Sequence, residues 1–186
     1  MNDDELVRLA REGNRTAFGE IYDRHAPGVA RALASFAGED RDALDDLVQE
    51  VFFKVIEGLP SYTPRRPFPH WLYTIALNTG RNHVRDNARE LPVDPSDLES
   101  AHARDTCLTD LPEEILGARL VRLVAALPGH LREVVSLRIG SGLPYGEIGE
   151  ILGVPEGTAR SRMHSAVVDL RASLGVVVSE QDKESQ

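Results

Sequence analysis

The chain is predicted to be all-α, with two small helical domains joined by a flexible linker. Three observations lead there. Apolar residues recur at helical spacing along most of the 186 residues. Strand signals are scarce, with no Asn-Gly hairpin turn and little period-two alternation. Between Leu91 and Pro112 the periodicity collapses: LPVDPSDLESAHARDTCLTDLP holds three prolines and many acids, too little apolar surface to offset the entropy of ordering it. Residues 1–90 and 113–175 are therefore read as the two domains, 91–112 as the linker and 176–186 as a frayed tail.

The elements follow in order. Asp3 and Asp4 are candidate caps for a helix over ELVRLARE, which Gly13 and Asn14 would end. A second helix is expected from Thr16 to about Phe36, with Phe18, Ile21, Tyr22, Val29 and Leu33 at helical spacing. A third, from Asp42 to Gly58, carries an apolar stripe wide enough to face a core and leave an edge for a partner. SYTPRRPFP is a proline-punctuated loop, and a fourth helix is expected from His70 to about Arg89. The C-terminal domain should hold helices near 113–127, 129–140, 144–152 and 156–174. Gly153 suits a left-handed helix end, and Pro155 at the next helix start loses no needed N–H.

Composition narrows the function. No apolar run approaches the roughly 20 residues of a membrane span, and the charged start MNDDELVRLAREGN is not a signal peptide. The single cysteine, Cys107, cannot form an internal disulfide, and six scattered histidines lack metal-ligand spacing. A cytoplasmic protein with no metal and no cofactor is expected. There is no Gly-rich phosphate loop and no HExxH, and the sole cysteine sits in the linker, so an enzyme with a small-molecule substrate is not expected. The net charge of −9 argues mildly against nucleic acid, but docking is decided by local patches.

Two such patches exist. YGEIGEILGVPEGTARSRMHSAV reads as two helices joined by a tight turn, the geometry of a helix-turn-helix whose second helix lies in the major groove. Arg160, Ser161, His164 and Ser165 fall mainly away from its apolar stripe, and arginine's planar fork suits both phosphate and guanine. A helical hairpin with a solvated charged face would show the same pattern. In the fourth helix Asn78, Arg81, Asn82, Arg85 and Arg89 share one face by their spacings of three and four. Phe68, Trp71, Leu72 and Ile75 lie on or near another, Trp71 being read as a core anchor. Tyr62, Tyr73 and His83 are candidates to stack on unpaired bases. The third helix, DALDDLVQEVFFKVIEGL, is by its own pattern an ordinary amphipathic core helix with Gln49, Glu50 and Lys54 on its polar side.

In this order, DDLVQEVFFKV, FPHWLYTIALNTGRNHVR and the GLPYGEIGEILGVPEGTARSR hairpin resemble a bacterial RNA polymerase sigma factor of the extracytoplasmic-function (ECF) type, from roughly Leu6 to Leu174. The resemblance implies that 1–90 is sigma region two and 113–175 sigma region four. It implies that Asp46, Leu47, Gln49, Glu50 and Phe53 dock on core RNA polymerase. Asn78 and the loop Tyr62 to Pro69, with Arg65 and Arg66, would read a flipped base of the promoter's minus-ten element, while Arg81, Asn82 and Arg85 follow the strand backbone. Thr158, Arg160, Ser161, Arg162, His164 and Ser165 would face the minus-thirty-five element. An anti-sigma factor is an implied partner; direct membrane insertion is not. Departures from the family pattern are Asn82 in place of aspartate, Ser165 and Val167 in place of a basic residue, and Pro67 and Pro69 in the promoter-reading loop. Gly146 and Gly149 replace the commoner alanine, each costing about 1 kcal/mol in helix propensity. Two other readings are a stand-alone helix-turn-helix regulator binding a palindrome as a dimer, and a helical interaction module without DNA contact.

Overall fold

The structure is a computed structural model; it describes residues 1–90 and 113–174, with side chains for 1–88 and 117–174. The expected linker and tail lie outside the described residues, as does the side chain of Arg89. Among the described residues there are helices and no strands: α1 (Asp3–Arg11), α2 (Arg15–Ala37), α3 (Arg41–Gly58), a 3-10 turn (Leu59–Ser61), α4 (Phe68–Glu90), α5 (Glu113–Ala126), α6 (Gly129–Ser141), α7 (Tyr145–Leu152) and α8 (Glu156–Ser173).

Helix starts are set by short polar side chains. Asn2, not Asp3 or Asp4, caps α1: its Oδ1 accepts from the Glu5 N–H at 2.8 Å. The two aspartates occupy the first turn, where the helix dipole favours them. Asn14 caps α2 through the Ala17 N–H at 3.1 Å, so α2 starts one residue before the expected Thr16 and runs on through Pro27. Asp40 caps α3 through the Ala43 N–H at 3.0 Å. Helix α4 begins at Phe68, two residues earlier than expected, because Pro69 fits a first turn whose N–H groups need no partner within the helix. Pro155 stands one position outside α8 as its N-cap rather than inside it. Gly142 and Gly153 end α6 and α7 in the left-handed region, at φ 67° and 69°.

Helices α1 to α4 enclose one apolar centre, in which Leu6, Ile21, Leu33, Val51, Phe68 and Leu72 are almost fully buried. Helices α5 to α8 enclose a smaller one, around Val134, Leu137, Ile148, Ala159 and Ala166. The two centres join into a single buried cluster. The join is made chiefly by α6, which packs against α5, α7 and α8 on one side and α2 and α4 on the other, while α5 also meets α2 and α7 meets α4. A helix buried on most sides needs apolar or small residues nearly all round, and α6 has them in Leu131, Val134, Val135, Ser136, Leu137 and Gly140.

The α2–α6 crossing is close. A Cβ at Gly28 would sit 2.8 Å from the Gly140 carbonyl oxygen, and one at Gly140 would sit 2.7 Å from the Gly28 carbonyl oxygen. Nearby, the buried Ser35 and Ser136 hydroxyls hydrogen-bond at 2.7 Å, and Tyr73 of α4 donates its hydroxyl to the Gly140 carbonyl at 2.9 Å. Burial pushes the Tyr73 pKa up to about 12, so it stays a donor at every physiological pH.

Candidate nucleic-acid interface

Helix α4 is two-sided for the reason its spacing suggests. Leu72, Ala76, Leu77 and Thr79 face inward, and Asn78, Arg81, Asn82 and Arg85 are exposed along the opposite edge. The preceding loop is held by aromatic packing. The Tyr62 ring lies 4.8 Å from that of Trp71 and edge-on to Phe68 at 6.1 Å, and its hydroxyl donates to the Arg66 carbonyl at 3.0 Å. Tyr62 is therefore buried, with its pKa raised chiefly by that burial and then by Asp4. It shapes the loop from beneath instead of offering its ring to a base. Tyr73 is likewise taken out of the stacking set, being buried against α6. His83 is half-buried and bonds Asn87 at 3.0 Å. Arg65 and Arg66 remain on the exposed side of the loop.

The cations of this face are not equally available. Arg81 forms a two-pronged pair with Glu133 of α6, Nε and Nη2 lying 2.6 and 2.7 Å from the two carboxylate oxygens. That hydrogen bonding raises the Arg81 pKa. Arg66 pairs with Glu150 of α7, and His70 Nε2 lies 3.6 Å from the same carboxylate. Burial lowers the His70 pKa, helped by Arg66 and opposed by Glu147. Arg85 bonds its neighbour Asp86, at 3.3 Å. Neither Glu133 nor Glu150 was singled out from the sequence. Their partners lie on distant parts of the chain, and no local spacing signals a contact of that kind.

The second patch is built on the α7–α8 turn. Val154 N–H donates to the Gly149 carbonyl at 2.8 Å, closing the turn after Gly153. A Cβ on Gly149 would come within 2.7 Å of the Val154 carbonyl oxygen, so the turn itself demands glycine there. Gly146 is different: a Cβ would meet only the Glu156 side chain, at an ordinary 3.6 Å. On α8, Ala159 and Ala166 are buried, while Arg160, Ser161, His164 and Ser165 are exposed and Thr158 and Arg162 partly so. Arg160 pairs with Glu156 one turn back, at 2.6 Å, and lies over the Tyr145 ring at 5.5 Å.

On α3, Asp46, Gln49, Glu50 and Phe53 line one exposed face at spacings of three and four, with Phe53 62% exposed. Leu47 lies off that face and is buried at 3% exposure, a core residue rather than a surface contact. Lys54 bonds Glu50 at 2.5 Å and Thr79 of α4 at 3.0 Å, fixing this face to α4. Ile56, half exposed, continues the face into an apolar hollow shared with Ala10, Phe18 and Leu59. Among the described residues no His, Cys, Asp or Glu cluster could hold a metal ion, and no helix is long and apolar enough to cross a membrane.

Family models describing Sigma-70 region 2 and Sigma-70 region 4 match residues 21–90 and 117–170. An ECF RNA polymerase sigma-E factor of Haemophilus influenzae is 34% identical over 178 residues, spanning 89% of this chain and 92% of that protein. The chain belongs to the ECF sigma factors. The Escherichia coli sigma-E factor is 30% identical over 177 residues, 89% of this chain and 91% of its own. Among solved structures, CnrH in complex with the cytosolic domain of CnrY aligns with TM-score 0.72 and 27% identity, over 95% of this chain and 99% of that one. RpoE of Bartonella quintana, solved with the anti-sigma factor NepR, shares the fold at TM-score 0.67 and 22% identity, over 87% and 98% of the two chains. The α1–α4 group of this sigma factor thus carries region two, and the α5–α8 group region four.

Proposed function

We propose that this sigma factor binds core RNA polymerase and gives it promoter selectivity through two separate reading edges. The observation that carries this reading is the pair of exposed polar edges on otherwise packed helices, Asn78 to Arg85 on α4 and Arg160 to Ser165 on α8. Region four holds the minus-thirty-five element as duplex, with Arg160, Ser161, His164 and Ser165 towards base edges and Thr158 and Arg162 beside them. In region two, Asn78 and the loop with Arg65 and Arg66 hold an unpaired minus-ten base, while Arg81, Asn82 and Arg85 follow the strand. Capturing unpaired bases shifts the melting equilibrium towards the open duplex, and no bond is made or broken by this chain. Asp46, Gln49, Glu50 and Phe53 offer polymerase an acidic and apolar strip. Control by an anti-sigma factor that covers these surfaces belongs to the same reading. Run-off transcription with purified core polymerase on a genomic fragment library tests the reading. Start-site-specific transcripts are expected only with the chain present, and tight palindrome binding without polymerase would favour a stand-alone regulator instead.

A further inference from the structure

Two of the ion pairs between the two regions fall on residues that region two would use for DNA, while a third, Arg122 with Glu39, lies elsewhere. Arg81 is gripped by Glu133 through both prongs of its guanidinium, at 2.6 and 2.7 Å. Arg66 is paired with Glu150, which His70 also approaches. Both carboxylates belong to region four. A carboxylate presents two oxygens to a guanidinium in much the same geometry as a phosphate does. Glu133 cannot move far while the regions stay docked, because α6 is seated on α2 at the Gly28–Gly140 crossing and tied by the Ser35–Ser136 and Tyr73–Gly140 hydrogen bonds, whereas Glu150, half exposed on α7, is the looser hold. Glu133 is itself largely enclosed, its side chain being 16% exposed.

We propose that region four is an internal occupant of the region-two strand site: Glu133 and Glu150 stand where phosphates would bind, and the promoter strand gains Arg81 and Arg66 only when the regions separate. The inference rests on the reading of these two arginines as DNA ligands. It makes docking of the regions a self-inhibited state of the chain, independent of any anti-sigma protein.

Gly140→Ala tests it in the full-length chain. The three atoms nearest the added methyl all belong to α2: the Ala32 Cβ, then the Gly28 carbonyl oxygen at 2.7 Å and the Ala32 Cα at 2.9 Å. It should therefore separate the regions and leave each intact. Small-angle scattering is expected to show a larger radius of gyration. Binding of a fluorescent mixed-sequence single-stranded oligonucleotide should tighten by about fivefold, as expected for two partly exposed competing ion pairs. Adding Arg66→Ala and Arg81→Ala should abolish the gain. Expansion without tighter binding, or no expansion at all, overturns the proposal. A gain that survives loss of both arginines overturns instead their assignment as strand ligands. Glu133→Gln with Glu150→Gln, which leaves the helix crossing untouched, must shift binding in the same direction; no shift likewise overturns the proposal.

Discussion

Helices α4 and α8 each carry exposed arginines that we propose meet nucleic acid, yet the two helices hold them under different terms. Arg160 of α8 is paired with Glu156 one turn away on the same helix, at 2.6 Å with both side chains more than half exposed. Such a pair travels with the helix, contributes little, and can be exchanged for a phosphate by turning two side chains. Arg81 of α4 is paired with Glu133, which is far along the chain and anchored in another helical group. Exchanging that partner requires moving a domain. On the proposed reading, one edge is open by construction and the other is conditional on how the molecule is arranged.

The largest expected effect probes the rigidity of the open edge. Gly149→Ala would drive a methyl against the Val154 carbonyl oxygen, which belongs to backbone and cannot step aside. The α7–α8 turn should lose about 2–3 kcal/mol, the upper range for overpacking, seen as a lower melting temperature and loss of duplex binding. Next come the contacts themselves. Asn78→Ala and Arg160→Ala should each lower transcription about tenfold, in line with 1–3 kcal/mol per base contact, and only Asn78→Ala should change the preferred base within the opened element. Equal base preference in wild type and Asn78→Ala would remove α4 from sequence reading. A smaller change of opposite sign is expected at Gly146, where alanine meets no backbone: Gly146→Ala should stabilise α7 by up to about 1 kcal/mol, measurable by thermal melting.

The smallest effect is a pH slope within region two. The His25 ring lies 3.0 Å from Asp3 and edge-on to Phe68 at 5.5 Å. Burial holds its pKa below 6.5, with Arg24 adding and Asp3 opposing. The unfolded chain therefore takes up this proton first as pH falls through about 6.5, so stability should decline there and level off below the folded value. His25→Gln should flatten that part of a melting-temperature profile, while His70 leaves a remainder.

Much of the fold could be read from the chain because most of it depends on local chemistry. Gly153, Pro155 and the α7–α8 apolar spacing specify a tight helical pair with no help from elsewhere, and the structure has it. Local chemistry misled at Tyr62, read as a ring free to stack, and family likeness misled at Leu47, which the helix's own apolar stripe had placed towards the core. Whether an aromatic ring faces a base or Trp71 depends on a loop path that no spacing encodes. The cost assigned to Gly149 was also local: helix propensity counts against glycine, whereas the Val154 carbonyl leaves no room for anything larger. The docking of α6 on α2 was hidden for a related reason. Its signs were the small residues Gly28, Ala32 and Ser35 on one helix and Ser136 and Gly140 on another, which separately say nothing of a partner and only together mark a place where two backbones can touch.

The composition of that contact has a consequence for the molecule's response to its surroundings. Its middle is uncharged, made of two hydroxyls and a phenol on a carbonyl, whereas its margin is ionic and partly wet. Dissolved ions screen charge over about 8 Å at physiological strength but leave the neutral bonds as they are. Raising the electrolyte concentration should thus loosen the periphery while the centre holds, giving a hinge whose tension is set by the solvent before any other macromolecule arrives.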